Sequence, residues 1–457
     1  MKRNLLYISL IWIISIPNLF SQTADPQLNA LIQAGIEQSH SLKINRFETR
    51  KTQLDRKRAW QTFLPKIQLN TSYTRLDNDI VLDEDLQKLL MGTQSLLAKE
   101  ALGLPFNAPL PPQVPLQPIP PVQEKNIYKS AVDAEWILFS GLKVTNTSKA
   151  LKHKEKALSY KNEIIKKELV EKISKSYLQL GLINASFEVL KQSRKYLEKQ
   201  NEYVTKAIQN GLTTDLDLQK IKLAEKELDL KELELNNNKK LAVLQLAQLT
   251  GKNKKELQNL RIPFRRWILD LAQLKKKERV ELKALKEGIE AKKALKKAEL
   301  SEYIPKIAAK AHYELTDRSL TMLDPKWYVG IGVKWNLFDG LQALNKSKKI
   351  HYEVEAQKEK LQETKELIAL QQQQAFLNYE KALEEIGMRK QEVKLASETY
   401  EYSLKKYRNG LVSITEVLKD LNRLEKAELD LKKSIYRQNM ATIALLNAYD
   451  GIVENLN

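Results

Sequence analysis

The stretch Trp335-Asn336-Leu337-Phe338-Asp339-Gly340-Leu341 repeats Trp136-Ile137-Leu138-Phe139-Ser140-Gly141-Leu142 at an offset of 199 residues, and Asn409-Gly410-Leu411 repeats Asn210-Gly211-Leu212 at the same offset. Two ordered matches at one spacing mark a tandem duplication, in which each copy is one structural unit. A third pair, Phe63-Leu64-Pro65-Lys66-Ile67 and Tyr303-Ile304-Pro305-Lys306-Ile307, keeps the order at an offset of 240. The first copy therefore carries 41 extra residues between Ile67 and Trp136.

Around these motifs the chain alternates apolar and polar residues with period two, the pattern of strands with one apolar face. Trp327, Val329, Ile331, Val333, Trp335 and Leu337 alternate with Tyr328, Gly330, Gly332, Lys334 and Asn336. Similar runs predict strands over 65–77, 128–139 and 305–315 beside this one over 327–338. Each is about ten residues, enough for a tilted strand to cross a bilayer. Tyr73, Tyr128, Trp136, Tyr313, Trp327 and Trp335 stand where aromatic girdles meet the membrane interfaces. A half-buried sheet in water alternates in the same way, but the rest of the chain offers no globular layer to cover one. Four strands cannot close a barrel, and lipid does not tolerate open edges, so several copies must share one barrel.

After each second strand the period becomes helical. Residues 142–209 and 341–408 contain no proline. Apolar residues recur at sevenfold steps, as Leu190, Leu197 and Val204 or Tyr379, Ile386, Val393, Tyr400 and Tyr407. Each span predicts a heptad helix about 100 Å long, broken at Asn-Gly and returning through Leu216, Leu223 and Leu230 or Val417, Leu424 and Leu431. The hairpins are thus expected over 142–250 and 341–450, stopped by Gly251 and Gly451. Helices over 25–62 and 266–302 lead into the first and third strands, before Pro65 and Pro305. The first repeat runs over 25–262 and the second over 263–457. Residues 78–127 hold the insertion, whose eight prolines from Pro105 to Pro121 argue against helix or ladder. The link between the last two strands, 316–326, is short, and long loops of membrane barrels face the cell exterior.

Lys2, Arg3, the apolar run Leu5 to Ile16 and Pro17 form a secretory signal over residues 1–24, with cleavage after Gln22 or Ala24 both compatible. With no Cys, disulfides, thiolate metal sites and a lipidated cysteine are excluded. Beyond the signal no apolar run reaches the length of a membrane helix. The net charge of +19 is interleaved with Glu and Asp along helical stretches, which describes solvated faces rather than a nucleic-acid stripe. His40, His153, His312 and His351 are scattered and suggest no metal, and Gly330-Ile331-Gly332 lies in a strand rather than a dinucleotide loop. No constellation of an enzyme or cofactor site emerges.

The duplicated halves, the Pro-Lys-Ile strand starts, Leu-Phe-Ser/Asp-Gly at the strand-to-helix junctions and Tyr407-Arg408-Asn409-Gly410-Leu411 at a turn resemble the TolC-like outer-membrane efflux proteins. The resemblance covers essentially the whole mature chain. It implies a homotrimer whose twelve strands form a barrel in outer-membrane lipid and whose helices form a periplasmic tunnel. It also implies a passive exit duct for efflux or type I secretion, driven by an inner-membrane transporter through a periplasmic adaptor. The turns at Gly211-Leu212 and Gly410-Leu411 would be the tips where the adaptor docks. Aligned on those glycines, Tyr407, Asp217 and Glu416 match positions of the tip gate, whereas Val412 replaces a latch arginine and Lys419 an acidic ring residue. A periplasmic adaptor has one hairpin and flanking soluble β-domains, which this chain lacks. A secreted coiled coil leaves the strands unexplained.

Overall fold

The structure, a computed structural model, describes residues 25–269, 271, 274, 277–316 and 325–456. The expected signal segment and most of the link between the last two strands lie outside the described residues. The chain divides into two units: Thr52–His153 with Glu290–Glu355, and Lys154–Ile289 with Ala356–Asn457 and the segment ending at Lys51.

The first unit is built on four antiparallel strands in the order β1 (Lys66–Arg75), β2 (Asn126–Phe139), β3 (Lys306–Glu314), β4 (Trp327–Lys334). The duplication extends to register: Tyr73 lies opposite Tyr128 as Tyr313 lies opposite Trp327, and Lys66 opposite Glu135 as Lys306 opposite Lys334. β4 ends at Lys334, opposite Lys306, the first residue of β3. One face carries Ile67, Leu69, Val132, Ala134, Ala309, Ala311, Val329, Ile331 and Val333 in matching register. Ile67, Leu69, Val329, Ile331 and Val333 on it are exposed. Among the described residues no helix is long and apolar enough to cross a membrane.

The insertion departs from the expected irregular loop: a helix, α3, spans Glu84–Ala101. Its prolines begin only at Pro105, and Asp83 caps it by accepting from the Leu86 N–H at 2.8 Å. The bridge between Ile80 and Gln123 closes the base of the insertion.

The N-terminal segment is two helices rather than one, α1 (Pro26–Gln38) and α2 (His40–Gln61). Ser39 interrupts it and its hydroxyl accepts from the Leu42 N–H at 3.3 Å, which starts α2. The long helices are α4 (Lys143–Gln209) and α8 (Gln342–Arg408), the returning helices are α5 (Asp215–Thr250) and α9 (Ile414–Ala448), and the short α6 (Lys254–Gln258) follows α5. Leu190, Leu197, Val204, Ile221, Leu228, Tyr400, Val417 and Leu424 form one core, and Leu28, Ile32, Val170, Ile173, Tyr177, Leu246, Ile443 and Leu446 another. The sevenfold step of α5 is not part of either. Leu216, Leu223 and Leu230 are each more than 60% exposed, and Ile221 and Leu228 take the buried side.

The helix expected from residue 266 begins only at Val280, as α7 (Val280–Leu300). Upstream, residues 261–269 form an irregular strap whose backbone bonds to buried amides of α9. Asn439 Oδ1 accepts from the Trp267 N–H at 2.7 Å, Asn439 Nδ2 donates to the Arg265 carbonyl at 2.9 Å, and Gln438 Nε2 donates to the Trp267 carbonyl at 2.8 Å. Side chains thus satisfy backbone groups that a helix would have paired internally. The end of α9 also differs from expectation. Asp450, not Gly451, takes the left-handed conformation at φ +63°, whereas Gly251 takes it at the end of α5. The Asp450 carboxylate explains the exchange, because it accepts from the Val280 N–H at 2.9 Å and pairs with Lys167. Arg279 lies 3.9 Å from Asp450 and 2.8 Å from Glu281, and Lys167 lies 3.1 Å from Glu281. The Lys167, Arg279 and Asp450 side chains are therefore buried together, with the partly exposed Glu281 beside them.

Burial pushes the Glu281 carboxyl up, but the Arg279 hydrogen bond and the charges of Lys167 and Arg279 outweigh it and hold it at about 2. Its stabilisation is then complete above the ordinary value of 4.5 and lost as the pH falls through about 2. Thermal unfolding followed by circular dichroism should show Glu281→Gln less stable than wild type near neutral pH, by on the order of 3 kcal/mol. The gap should close between pH 4.5 and about 2. A gap independent of pH would contradict the assignment.

Candidate functional site

The helical turns are built alike. Gly211 and Gly410 adopt φ +69° and +71°. The Leu212 N–H donates to the Ala207 carbonyl at 2.8 Å and Gly211 N–H to Ile208 at 2.9 Å, while Leu411 N–H donates to Lys406 at 3.0 Å and Gly410 N–H to Tyr407 at 2.9 Å. Each pair of bonds is a Schellman closure, which satisfies the last carbonyls of the helix and requires a left-handed residue. The next residue is thereby thrown outward: Leu212 is 76% and Leu411 70% exposed.

Between the turns the structure brings two of the gate candidates together. Tyr407 Oη donates to Asp217 Oδ2 at 3.0 Å, and Thr213 Oγ1 donates to the same oxygen at 2.7 Å. Lys220 lies 3.9 Å from the carboxylate. Burial, with the Asp217 carboxylate adding to it, pushes the Tyr407 phenol up to about 12. Tyr407 therefore remains a neutral donor at physiological pH. Its ring meets Tyr203 edge-on at 6.1 Å, and one heptad away Tyr196 and Tyr400 pair at 5.3 Å. Glu416 and Lys419 are not part of this cluster. Both are exposed, and among the described residues neither side chain has a hydrogen bond or ion pair. Thr213 and Tyr203 escaped the sequence reading, although tyrosines repeated seven apart in α4 and α8 were a legible sign of ring pairing.

In the strand unit the six aromatics stand near the two ends of their strands. Tyr73, Tyr128, Tyr313 and Trp327 gather at the end of the sheet away from Lys66, with the Tyr73 and Tyr128 rings 4.7 Å apart. Trp136 and Trp335 stand at the opposite end, where their Nε1–H groups donate to the carbonyls of Phe63 at 2.8 Å and Tyr303 at 3.0 Å, one bond being the repeat of the other. All six are at least 47% exposed. The strand-to-helix junctions are likewise duplicated, with Gly141-Leu142 and Gly340-Leu341 each taking two successive left-handed residues. Ser140 Oγ and Asp339 Oδ2 accept from the Val144 and Ala343 N–H groups at 3.3 and 2.8 Å. A side chain at Gly141 would meet the Ile304 carbonyl at 2.9 Å, whereas around Gly340 the space within the chain is open.

The polar face of the sheet carries a row of side chains across all four strands. His312 Nδ1 lies 2.8 Å from Asp133, Asn70 Nδ2 donates to Asp133 at 2.7 Å, and the His312 and Tyr328 rings stack at 5.1 Å. Among the described residues no group of three or more His, Asp or Glu is arranged to hold a metal.

Comparison with known proteins agrees with this architecture. The sequence profile of outer membrane efflux proteins matches residues 31–252 and 271–449. No curated protein matches the chain. Among solved structures the fold is similar to the outer membrane protein VceC of Vibrio cholerae, with 16% identity, a TM-score of 0.72 and coverage of 93% of this chain and 96% of that one. The CmeC outer membrane channel of Campylobacter jejuni gives 13% identity, a TM-score of 0.71 and coverage of 100% and 98%. The open-state MtrE channel of Neisseria gonorrhoeae gives 12% identity, 0.69, and 95% and 91%. With both repeats matched, the chain belongs to the outer membrane efflux protein family, channels of the outer membrane whose helical portion lies in the periplasm.

Proposed function

We propose that three copies of this chain form a passive exit duct of a tripartite efflux or type I secretion machine, coupled to an inner-membrane transporter through a periplasmic adaptor. The observation that carries the proposal is the duplicated register. β1 and β4 are the two edges of the sheet, and an edge cannot face lipid unpaired. The contact of β2 with β3 is the contact between one repeat and the next, so the same contact joins β4 of one copy to β1 of another. Shifted by the repeat offsets, the pairing of Asp133 with His312 becomes Gly332 with Ser72, and Val132 with Tyr313 becomes Ile331 with Tyr73. The open space at Gly340 then receives residues 61–64 of the next copy, as Gly141 receives Ser301 and Ile304 within the chain. The exposed Leu216, Leu223 and Leu230 give a second apolar seam for a neighbouring helix.

In this duct the two levels of aromatics seat the barrel at the two interfaces of the outer membrane. Leu212 and Leu411 are the adaptor's contacts, held outward by the glycine closures. The bond from Tyr407 to Asp217 ties the two hairpins and holds the tip closed, while Glu416 and Lys419 line the approach as a partly self-cancelling charge ring. Duct and pump divide the work, so no reacting group is needed in this chain.

Cysteines at Gly332 and Ser72 should form disulfides between copies, giving dimers and trimers on non-reducing gels, because antiparallel partners lie within disulfide reach. Bonding at Gly332 and Thr74 instead would contradict the register. A photoreactive residue at Leu411 should capture, in intact cells, a periplasmic protein with a helical hairpin; capture of none removes the docking role. In planar bilayers Tyr407→Phe with Asp217→Ala should raise conductance several-fold, and unchanged conductance removes both residues from the gate.

A further inference from the structure

The polar face of the sheet is strongly basic at the end nearest the strand-to-helix junctions. Lys66, Lys306, Lys310 and Lys334 all project from it. Lys306 and Lys334 are direct cross-strand partners, an arrangement that costs stability through like-charge repulsion. Glu135 is the one carboxylate on the strands at this level, and it stands between Lys66 and Lys310. Lys143 adds a fifth cation at the foot of α4, and it shares Glu302 with Lys306 at 3.4 and 2.7 Å. Five lysines therefore face two carboxylates. Among the described residues Lys66, Lys310 and Lys334 make no ion pair or hydrogen bond, and all three are exposed. Glu135, Lys143, Lys306, Lys310 and Lys334 line a recess of about 710 Å³ over this face. Farther along the strands Asp133 is already engaged by His312 and Asn70, and Glu314 by the Ser130 N–H and Thr316, so neither offsets the cluster directly.

We infer that this lysine cluster makes the duct selective for anions, so that the solutes it passes most readily are small organic or inorganic anions. The inference rests on the barrel reading above, in which the polar face lines the lumen. Three copies then place fifteen lysines against six carboxylates around one narrow band. Unneutralised charges of one sign, held in a confined aqueous passage with low-dielectric walls, concentrate counter-ions and exclude co-ions. The repulsion between Lys306 and Lys334 is relieved whenever an anion occupies the band, so the field favours transit rather than merely approach. The cluster also accounts for part of the positive excess that interleaved helix charges leave over.

Reversal potentials of the reconstituted full-length protein under a potassium chloride gradient test this. The measurement is made in wild type and in the gate-loosened Tyr407→Phe, Asp217→Ala background, and each lysine variant is compared with its parent in the same background, so that the tip charge is the same on both sides of every comparison. Chloride should permeate about threefold more readily than potassium at 0.1 M salt, with the preference fading toward 1 M as screening shortens. K310Q with K334Q should bring the ratio near one, and K310E with K334E should invert it. Cation preference in the gate-loosened protein, or a ratio unmoved by both lysine variants, overturns the inference and leaves the duct intact. Absence of any current in both backgrounds overturns the duct itself and the selectivity with it.

Discussion

The unpaired edges of β1 and β4 constrain this protein more than any other feature. A strand edge bares a row of N–H and C=O groups, and each would cost several kcal/mol in hydrocarbon. Four strands cannot bend round to meet each other, so the edge of one copy has to be the partner of another. The internal duplication supplies the geometry at no further cost, because the contact between repeats already exists once within the chain, at β2 and β3. The open space at Gly340 and the exposed leucine seam of α5 then have a common explanation as surfaces awaiting the next copy.

The same duplication distributes function unequally. Both turns carry the glycine closure and an outward leucine, so both can present a contact to a partner. Only the second provides Tyr407, and it reaches across to Asp217 of the first. A side-chain hydrogen bond between the hairpins needs a donor on one side and an acceptor on the other, and divergence of the copies created that difference. The ends of the returning helices diverge in a parallel way. Gly251 is a bare stop, whereas Asp450 accepts the strain of a left-handed residue because its carboxylate is held among Lys167, Arg279 and the Val280 N–H.

Much of the candidate site was legible. The two tips, their glycines and the pairing of Tyr407 with Asp217 follow from aligning the copies and from the resemblance. Glu416 and Lys419 follow from the same resemblance, and both side chains are exposed without a hydrogen bond to that pair. What was illegible shares a cause. Helix α3, the break at Ser39, the strap before α7 and the stop at Asp450 depend on local caps or on distant side chains, whereas periodicity reports only average burial along a face.

The sequence by itself determined the number of strands, their inward and outward faces and the positions of the turns, because period, proline and glycine act over a few residues. It also determined that more than one copy is needed. Tertiary structure alone decided which residues stand opposite each other. That register set Tyr73 against Tyr128 and Lys306 against Lys334, and helix packing left Leu216, Leu223 and Leu230 exposed where sevenfold spacing suggested a core. Register, and the choice of which helix stripe is buried, depend on contacts between residues tens to hundreds of positions apart, and no local pattern in the chain encodes them.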